Sequence, residues 1–320
     1  MTTAIERAKR HTESKLDALR SRLASMELEK NAVVLTCGSY ARREASIESD
    51  IDFFIITSQP PPQSGQSFDL DTLPWVDSVR DAINEIVPIE PAAGGAFSKV
   101  ESRDAMLVNI GGEYDSNQKI TRRMLFLLEG EWLFNADGLK QVRRQILERY
   151  IGEGMTDHQL ALFLLNDIIR FYRTMAVDYE FKTVEGENPK PLGIRNIKLV
   201  FSRKLLYASG LFSVAMTADR DRERKIAILE KLFETPVIDR MINICGRAKL
   251  EGVLGSYDRF LERLEDPSVR ERLNKLQVHE RSDLLFRELK NEGHHFTREL
   301  LKLFEATFDS DLPPKTGHSA

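Results

Sequence analysis

The sequence has very few cysteines and no long apolar run. Its only cysteines are Cys37 and Cys245, too few and too far apart for a disulfide framework or a cysteine-based metal site. Such isolated thiols are typical of a reducing compartment, so we expect a cytoplasmic protein. Residues 1–28 carry charges throughout, without an apolar targeting segment. Because no stretch approaches the roughly 18 apolar residues of a membrane span, we expect no membrane crossing.

An excess of one charge is also missing. Lys and Arg total 46 against 50 Asp and Glu, a formal net charge of −4. This balance argues against a protein that coats nucleic acid through general charge, so any anion site has to be local. The sequence contains no P-loop, no Gly-x-Gly-x-x-Gly and no serine nucleophile elbow. These absences argue against a kinase or an ATPase.

What the chain does have is the composition of a folded protein. Hydrophobic residues make up 42% and charged residues 30%. At about 100–200 residues per domain, the length predicts two domains. Residues 1–28 have the apolar spacing of an amphipathic helix, which we expect to pack on the first domain. We predict an α/β (α+β) domain with a small mixed sheet at 29–115, an all-α helical domain at 116–308 and a disordered tail at 309–320.

Short apolar runs predict the strands of the sheet. Residues 32–37 and 50–57 are rich in β-branched and aromatic residues, as buried strands are. Residues 73–86 have helical spacing, and 87–90 then suggest a third strand. Within the mainly helical second half, residues 131–134 suggest one further short strand.

The turn after the first strand and the start of the second carry the chemistry. Gly38-Ser39 ends the first strand, and ten residues later Asp50-Ile51-Asp52 opens the next. Because strand side chains alternate, Asp50 and Asp52 should project from one side, about 7 Å apart. Such carboxylates repel each other unless a cation lies between them, and hard oxygen ligands favour Mg²⁺ or Mn²⁺. A divalent pair held in this way suits a displacement at phosphorus.

The same turn is suited to binding a phosphate. Gly38 allows close approach of the backbone, and a helix that begins at Ser39 presents free N–H groups. Arg42 and Arg43, one turn further, add positive charge. The alternative for one of them is that its side chain only faces solvent. Gly-Ser and Asp-x-Asp are each common, and an isolated Asp-x-Asp is more often a solvated strand end. Their combination with the predicted strands and spacing favours a functional site.

The stretch GSYARREASIESDIDFFI resembles the active-site signature of the DNA polymerase β-like nucleotidyltransferase superfamily. Its Arg-Arg-Glu and the later TRRMLFLLE, residues 121–129, are most similar to nucleotidyltransferases related to the uridylyltransferases that modify PII signalling proteins. The resemblance implies metal-dependent transfer of a nucleoside monophosphate from an NTP, with ATP as the first nucleotide to consider. It implies that Asp50 and Asp52 are catalytic metal ligands, and that Gly38 and Ser39 hold the triphosphate.

The family pattern also includes a third carboxylate on a following strand, which ligates a metal and helps to deprotonate the acceptor. Glu90 is the first choice because it closes the strand predicted after the 73–86 helix. Glu101 is the alternative. A surface glutamate is the plainer interpretation of either residue.

A basic stripe in the helical half is the remaining candidate for nucleotide binding. On a helix that begins near Gly193, Arg195, Lys198 and Ser202 fall on one face. Lys198 and Ser202 are therefore candidate nucleotide ligands across a cleft between the domains. A solvated helix face explains the pattern equally well.

The acceptor stays open between a protein side chain, the 3′ end of an RNA, a small molecule and a second nucleotide. The motif also resembles the minimal nucleotidyltransferase antitoxins that adenylylate a partner toxin, although this chain is much longer. The alternative function is a non-catalytic nucleotide-sensing or toxin-regulating protein with a nucleotidyltransferase fold. Two retained carboxylates that repel each other argue against that alternative.

Overall fold

The computed structural model describes residues 2–60, 70–89, 100–185 and 191–308. The strands in chain order are β1 (Val33–Cys37), β2 (Asp52–Thr57), β3 (Val100–Ser102) and β4 (Glu131–Phe134). The helices are α1 (Ala4–Ala24), α2 (Gly38–Ala41), α3 (Pro74–Ile86), α4 (Arg103–Leu107), α5 (Asn117–Glu129), α6 (Ala136–Tyr150), α7 (Leu162–Glu180), α8 (Gly193–Lys198), α9 (Lys204–Ala215), α10 (Arg222–Glu234), α11 (Val237–Cys245), α12 (Glu251–Glu265), α13 (Pro267–Lys275) and α14 (Leu284–Phe308). Shorter helical turns are the 3₁₀ segments Leu70–Thr72, Ala248–Leu250 and Val278–Glu280 and the π-helical segments Phe181–Glu185 and Leu199–Arg203.

The four described strands form one mixed sheet in the order β3-β2-β1-β4. β1 runs antiparallel to β2 and to β4, and β3 runs parallel to β2. The helices of the second half follow this sheet. The predicted fold class, a small mixed sheet with helices followed by a helical region, is confirmed. None of the described helices combines the length and apolar character of a membrane span.

The two central strands are buried on both faces, which explains their continuous apolar sequence. Phe53 and Ile55 pack against α1 and α3 on one face. Phe54 and Ile56 point to the other face, because successive side chains alternate, and pack there against α5. This second face shares one continuous apolar core with the helices of the second half.

Helix α1 contacts both the sheet and the helical region. Its second half buries Leu16, Leu19 and Leu23 on the sheet. Its first half docks on the later helices, where Arg7 pairs with Glu265 at 2.6 Å and Lys9 pairs with Asp239 at 2.9 Å. The helix therefore packs on more of the protein than the first domain alone.

The third strand lies later in the chain than predicted. Val87, Pro88 and Ile89 are not in a strand, and β3 pairs with β2 instead. Pro88 has no N–H with which to donate a ladder hydrogen bond, which disfavours a paired strand there. The first-choice third carboxylate, Glu90, and the predicted tail at 309–320 lie outside the described residues.

Candidate functional site

The Gly-Ser turn and the second aspartate of the motif are neighbours in space. Cys37, the last residue of β1, pairs with Asp52 at the start of β2. Gly38 follows with φ +70°, a conformation that side chains rarely adopt. A Cβ on Gly38 would lie 2.6 Å from Oδ2 of Asp52. Only glycine therefore allows this carboxylate to lie directly against the turn.

The two aspartates form an acidic pair. Ile51 and Phe53 are buried in the core, whereas Asp50 and Asp52 are half-buried. Burial and the charges of Asp50 and Glu129 raise the pKa of Asp52 to about 7. The side-chain oxygens of both aspartates accept no hydrogen bond from the residues that the structure describes. Hard oxygen donors that repel each other and are otherwise unsatisfied fit a divalent cation.

Three cations of the helical region lie within electrostatic range of this pair. Burial lowers the pKa of Lys198, and the charge of Asp50 opposes this effect. Burial likewise lowers the pKa of Arg203, where Asp52 is an opposing charge, and of Arg270, where Asp50 is one. Within the described parts of the chain, none of these cations forms an ion pair. Their charges are therefore available to an anion.

Arg203 and Arg270 were not predicted from the sequence. Lys198 ends α8, and the segment Leu199–Arg203 that follows is π-helical. Arg203 follows Ser202 at the end of this segment and lies within electrostatic range of Asp52. Arg270 comes from α13, which no local pattern connects to the motif.

A cavity of about 300 Å³ adjoins the turn. Ser39, Lys198 and Ser202, three of the predicted nucleotide ligands, line it together with Arg270. Its apolar wall comes from α12, and α1 closes another side. The aspartates are not among the lining residues of the cavity. Ser39 is thus the residue through which the cavity meets the Gly-Ser turn.

The two arginines after the turn have protein partners. Arg42 donates to Glu44 at 2.7 Å and to Glu129 at 2.5 Å. Burial lowers the pKa of Arg42, but the two carboxylates outweigh burial and hold that pKa well above its ordinary value. Arg43, at φ 62°, donates to Glu131 at 2.8 Å and to the backbone oxygen of Ala41 at 3.0 Å. Direct nucleotide contacts by these arginines stay a prediction.

Glu129 is a site residue that the sequence reasoning did not select. It ends α5, and the N–H of Gly38 donates to its Oε1 at 2.9 Å. Two buried arginines of later helices hold the end of α5 by donating to the carbonyl groups of Leu128, at 2.6 Å, and Gly130, at 2.9 Å. The available signal was a glutamate directly after the apolar run 124–128, since a buried carboxylate requires partners.

A third metal-ligating carboxylate is not found among the described residues, where no group of three His, Cys, Asp or Glu side chains is suited to hold an ion. Glu101 lies on β3 and pairs with Arg122. It stands opposite Ile56, four residues along β2 from Asp52. At about 3.3 Å per residue the separation is about 13 Å, too long for a shared ion. The third carboxylate therefore stays unassigned.

One comparison with known proteins agrees with this site. Residues 16–103 match the family model of the nucleotidyltransferase domain. The match covers the second half of α1, the Gly-Ser turn, the acidic pair and β3, and supports placing this domain in the DNA polymerase β-like nucleotidyltransferase superfamily. No curated protein matches the chain. The narrower relation to the PII uridylyltransferases stays a prediction.

Proposed function

We propose that this protein is a metal-dependent nucleotidyltransferase that moves a nucleoside monophosphate from an NTP to an acceptor hydroxyl and releases pyrophosphate. The observation that carries the proposal is the acidic pair Asp50 and Asp52 beside the Gly-Ser turn, faced by cations without carboxylate partners. An acidic pair alone repels a polyphosphate. The pair together with opposing cations is what recognition of a metal-bound polyphosphate requires.

Each group has a distinct role in this proposal. Nucleotidyltransferase domains usually use divalent metals, and Asp50 and Asp52 are the residues that would hold Mg²⁺ or Mn²⁺ here. When bound, such ions neutralise the charge of the polyphosphate and of the group being transferred. Ser39 contacts the phosphates from the start of α2, and Lys198 and Arg203 neutralise phosphate oxygens from the opposite side. Catalysis then consists mainly of positioning and charge stabilisation.

The decisive experiment is incubation with each α-labelled NTP, with Mg²⁺ or Mn²⁺, in the presence of cell extract. We expect label to move to one acceptor class (protein, RNA or small molecule) with release of pyrophosphate. ATP is the first nucleotide to test. Because Cys37 and Cys245 are free thiols, the extract is prepared under reducing conditions, as suits the cytoplasmic location we propose. Absence of transfer with all four nucleotides would contradict the proposal.

A non-catalytic nucleotide sensor is the second candidate. The observation that favours it is the missing third ligand, since no group of three His, Cys, Asp or Glu side chains suited to hold an ion is found among the described residues. The two candidates differ in product formation. A sensor would gain thermal stability with NTP and Mg²⁺ but would release no pyrophosphate with any acceptor.

The cations of the helical region provide a direct test of nucleotide binding. Lys198→Met and Arg203→Met should each raise the KM for the NTP about tenfold or more, because each removes a charged hydrogen-bond donor. Lys204→Met is the matched control, because Lys204 is the next residue along but donates to Thr297 of α14 at 2.8 Å. Steady-state kinetics on the three variants checks this expectation. An equal KM change in all three would mean that general charge, not the site, binds the nucleotide.

A further inference from the structure

A chain of buried hydrogen bonds starts at the Gly-Ser turn. The N–H of Gly38 donates to Oε1 of Glu129, and Oε2 of the same carboxylate accepts from Nη1 of Arg42. Nε of Arg42 then donates to Glu44 at 2.7 Å. The three charged side chains expose only 10%, 6% and 1% of their surface for Arg42, Glu44 and Glu129. This first half of the chain lies entirely beside the sheet.

The second half crosses to the helical region. The hydroxyl of Tyr257, on α12, donates to Glu44. The same hydroxyl lies 3.2 Å from Oγ of Ser202, to which it is hydrogen-bonded. Ser202 belongs to the π-helical segment Leu199–Arg203 that carries one of the cations facing the acidic pair. We call the whole chain the turn-to-helix network; its members are Gly38, Glu129, Arg42, Glu44, Tyr257 and Ser202.

The network connects the two surfaces that the proposed function brings together on one polyphosphate. Glu44 is the junction, since Arg42 reaches it from the sheet side and Tyr257 from the helical side. Tyr257 and Ser202 are each 1% exposed, so water cannot readily replace a lost bond. In such a low-dielectric setting the bonds are strong and a broken one is costly, which favours a single arrangement of the two surfaces.

We propose that Tyr257 is a positioning residue for polyphosphate binding. It acts through Glu44 and Ser202 to hold the Gly-Ser turn at a fixed position relative to Lys198 and Arg203. It does not touch the substrate. The inference rests on the proposed function and deepens it, because it says what keeps the phosphate-binding groups of the two halves together. The ring of Tyr257 also packs on Phe260, with centroids 5.3 Å apart. Tyr257→Phe therefore removes the hydroxyl and keeps this packing.

A second buried tyrosine provides the matched control. The hydroxyl of Tyr150 donates to Asp167 at 2.5 Å and accepts from Arg123 at 2.7 Å. Tyr150 is also about 1% exposed, and its partners share no residue with the turn-to-helix network. Tyr150→Phe thus makes the same chemical change in a comparable network elsewhere. We expect both variants to fold and to lose a similar amount of thermal stability.

Two measurements separate the variants. The Kd for inorganic tripolyphosphate with Mg²⁺, a probe without a nucleobase, should rise about tenfold in Tyr257→Phe and stay near the wild-type value in Tyr150→Phe. Amide hydrogen exchange without any ligand should accelerate at residues 38–44 only in Tyr257→Phe. If Tyr257→Phe does not fold, Ser202→Ala breaks the last bond of the same chain and should produce the same two effects.

Equal changes in both variants, or no change in Tyr257→Phe, would overturn the inference. The exchange measurement needs neither nucleotide nor turnover, so it decides about Tyr257 even if the labelling experiment finds no acceptor. Faster exchange at 38–44 without any detectable transfer would support the network and contradict the enzyme. Transfer by the wild type, with unchanged exchange and unchanged Kd in Tyr257→Phe, would support the enzyme and contradict the role of the network.

Discussion

Asparagine in place of Asp52 is expected to abolish nucleotidyl transfer and at the same time to stabilise the metal-free protein. Asn keeps the size of the side chain but removes the charge that would hold a cation, so transfer should fall by at least about 100-fold. Asp81 is exposed, and Asp81→Asn is the control that makes the same chemical change away from the site. Because Asp50 lies close enough for its charge to raise the pKa of Asp52, the double Asp50→Ala, Asp52→Ala variant should also fold and be inactive.

The stability part of this prediction has a definite pH dependence. The pKa of Asp52 rises from 3.8 to about 7 on folding, so the folded state binds the proton more tightly than the unfolded state. Wild-type stability therefore falls as the pH rises from about 4 to about 7, and the loss is complete above that range. At about 1.4 kcal/mol per pKa unit, Asp52→Asn should add roughly 2–4 kcal/mol at pH 8 and clearly less at pH 5.5.

Thermal or urea denaturation in EDTA at the two pH values, together with the labelling assay, checks both parts. Full activity of Asp52→Asn would remove the acidic pair from the mechanism. An Asp52→Asn variant that is inactive yet no more stable than the wild type at pH 8 would mean that burial and repulsion do not destabilise the charged form of Asp52.

Alanine in place of Gly38 is the change with the second largest expected effect. The positive φ costs an L-residue about 1–2 kcal/mol, and the new Cβ would meet Oδ2 of Asp52 at 2.6 Å. Something must move, and the nearest atoms belong to Asp52, for which we propose a role in holding the metal. We therefore expect transfer to fall by about 100-fold, with only a moderate loss of stability.

Gly246 provides the control for Gly38. It has φ +78° at the end of α11, and a Cβ there would meet nothing within 4 Å. Gly246→Ala shares the backbone strain but not the contact with Asp52. Comparable losses of stability in the two variants, with transfer lost only in Gly38→Ala, are the expected result from denaturation and kinetics. Transfer lost in both would point to general destabilisation.

The predictions that proved right rest on local patterns. β1 and β2 could be predicted because strands buried on both faces are apolar throughout. β4 could be predicted because a short, mainly apolar run follows α5. The third strand was misplaced because pairing with β2 is a non-local choice between short segments, and Pro88 weakens the earlier one. Gly38 and Asp52 were predicted together because the two strands that carry them are adjacent in sequence and pair directly.

The rest of the site comes from parts of the chain that are distant in sequence. Arg203 is next to the predicted Ser202, but its burial and its closeness to Asp52 depend on how the helices pack. Arg270 comes from α13, and Glu129 from the end of α5. The partners of Arg42 illustrate the difficulty, since Glu129 and Glu44 occupy a guanidinium that in isolation looks suited to bind phosphate.

The sequence by itself therefore determined the sheet's central strands, the helical second half and the acidic pair at the Gly-Ser turn. The alternation of strand side chains and the backbone freedom of glycine act over a few residues, so the sequence alone is enough to predict them. Only the tertiary structure decided which cations face Asp50 and Asp52, which arginines are held by carboxylates, and how Tyr257 joins the two halves. Burial and pairing of charge depend on the whole packed chain, because the cost of an unpaired charge is set by every neighbour that excludes water.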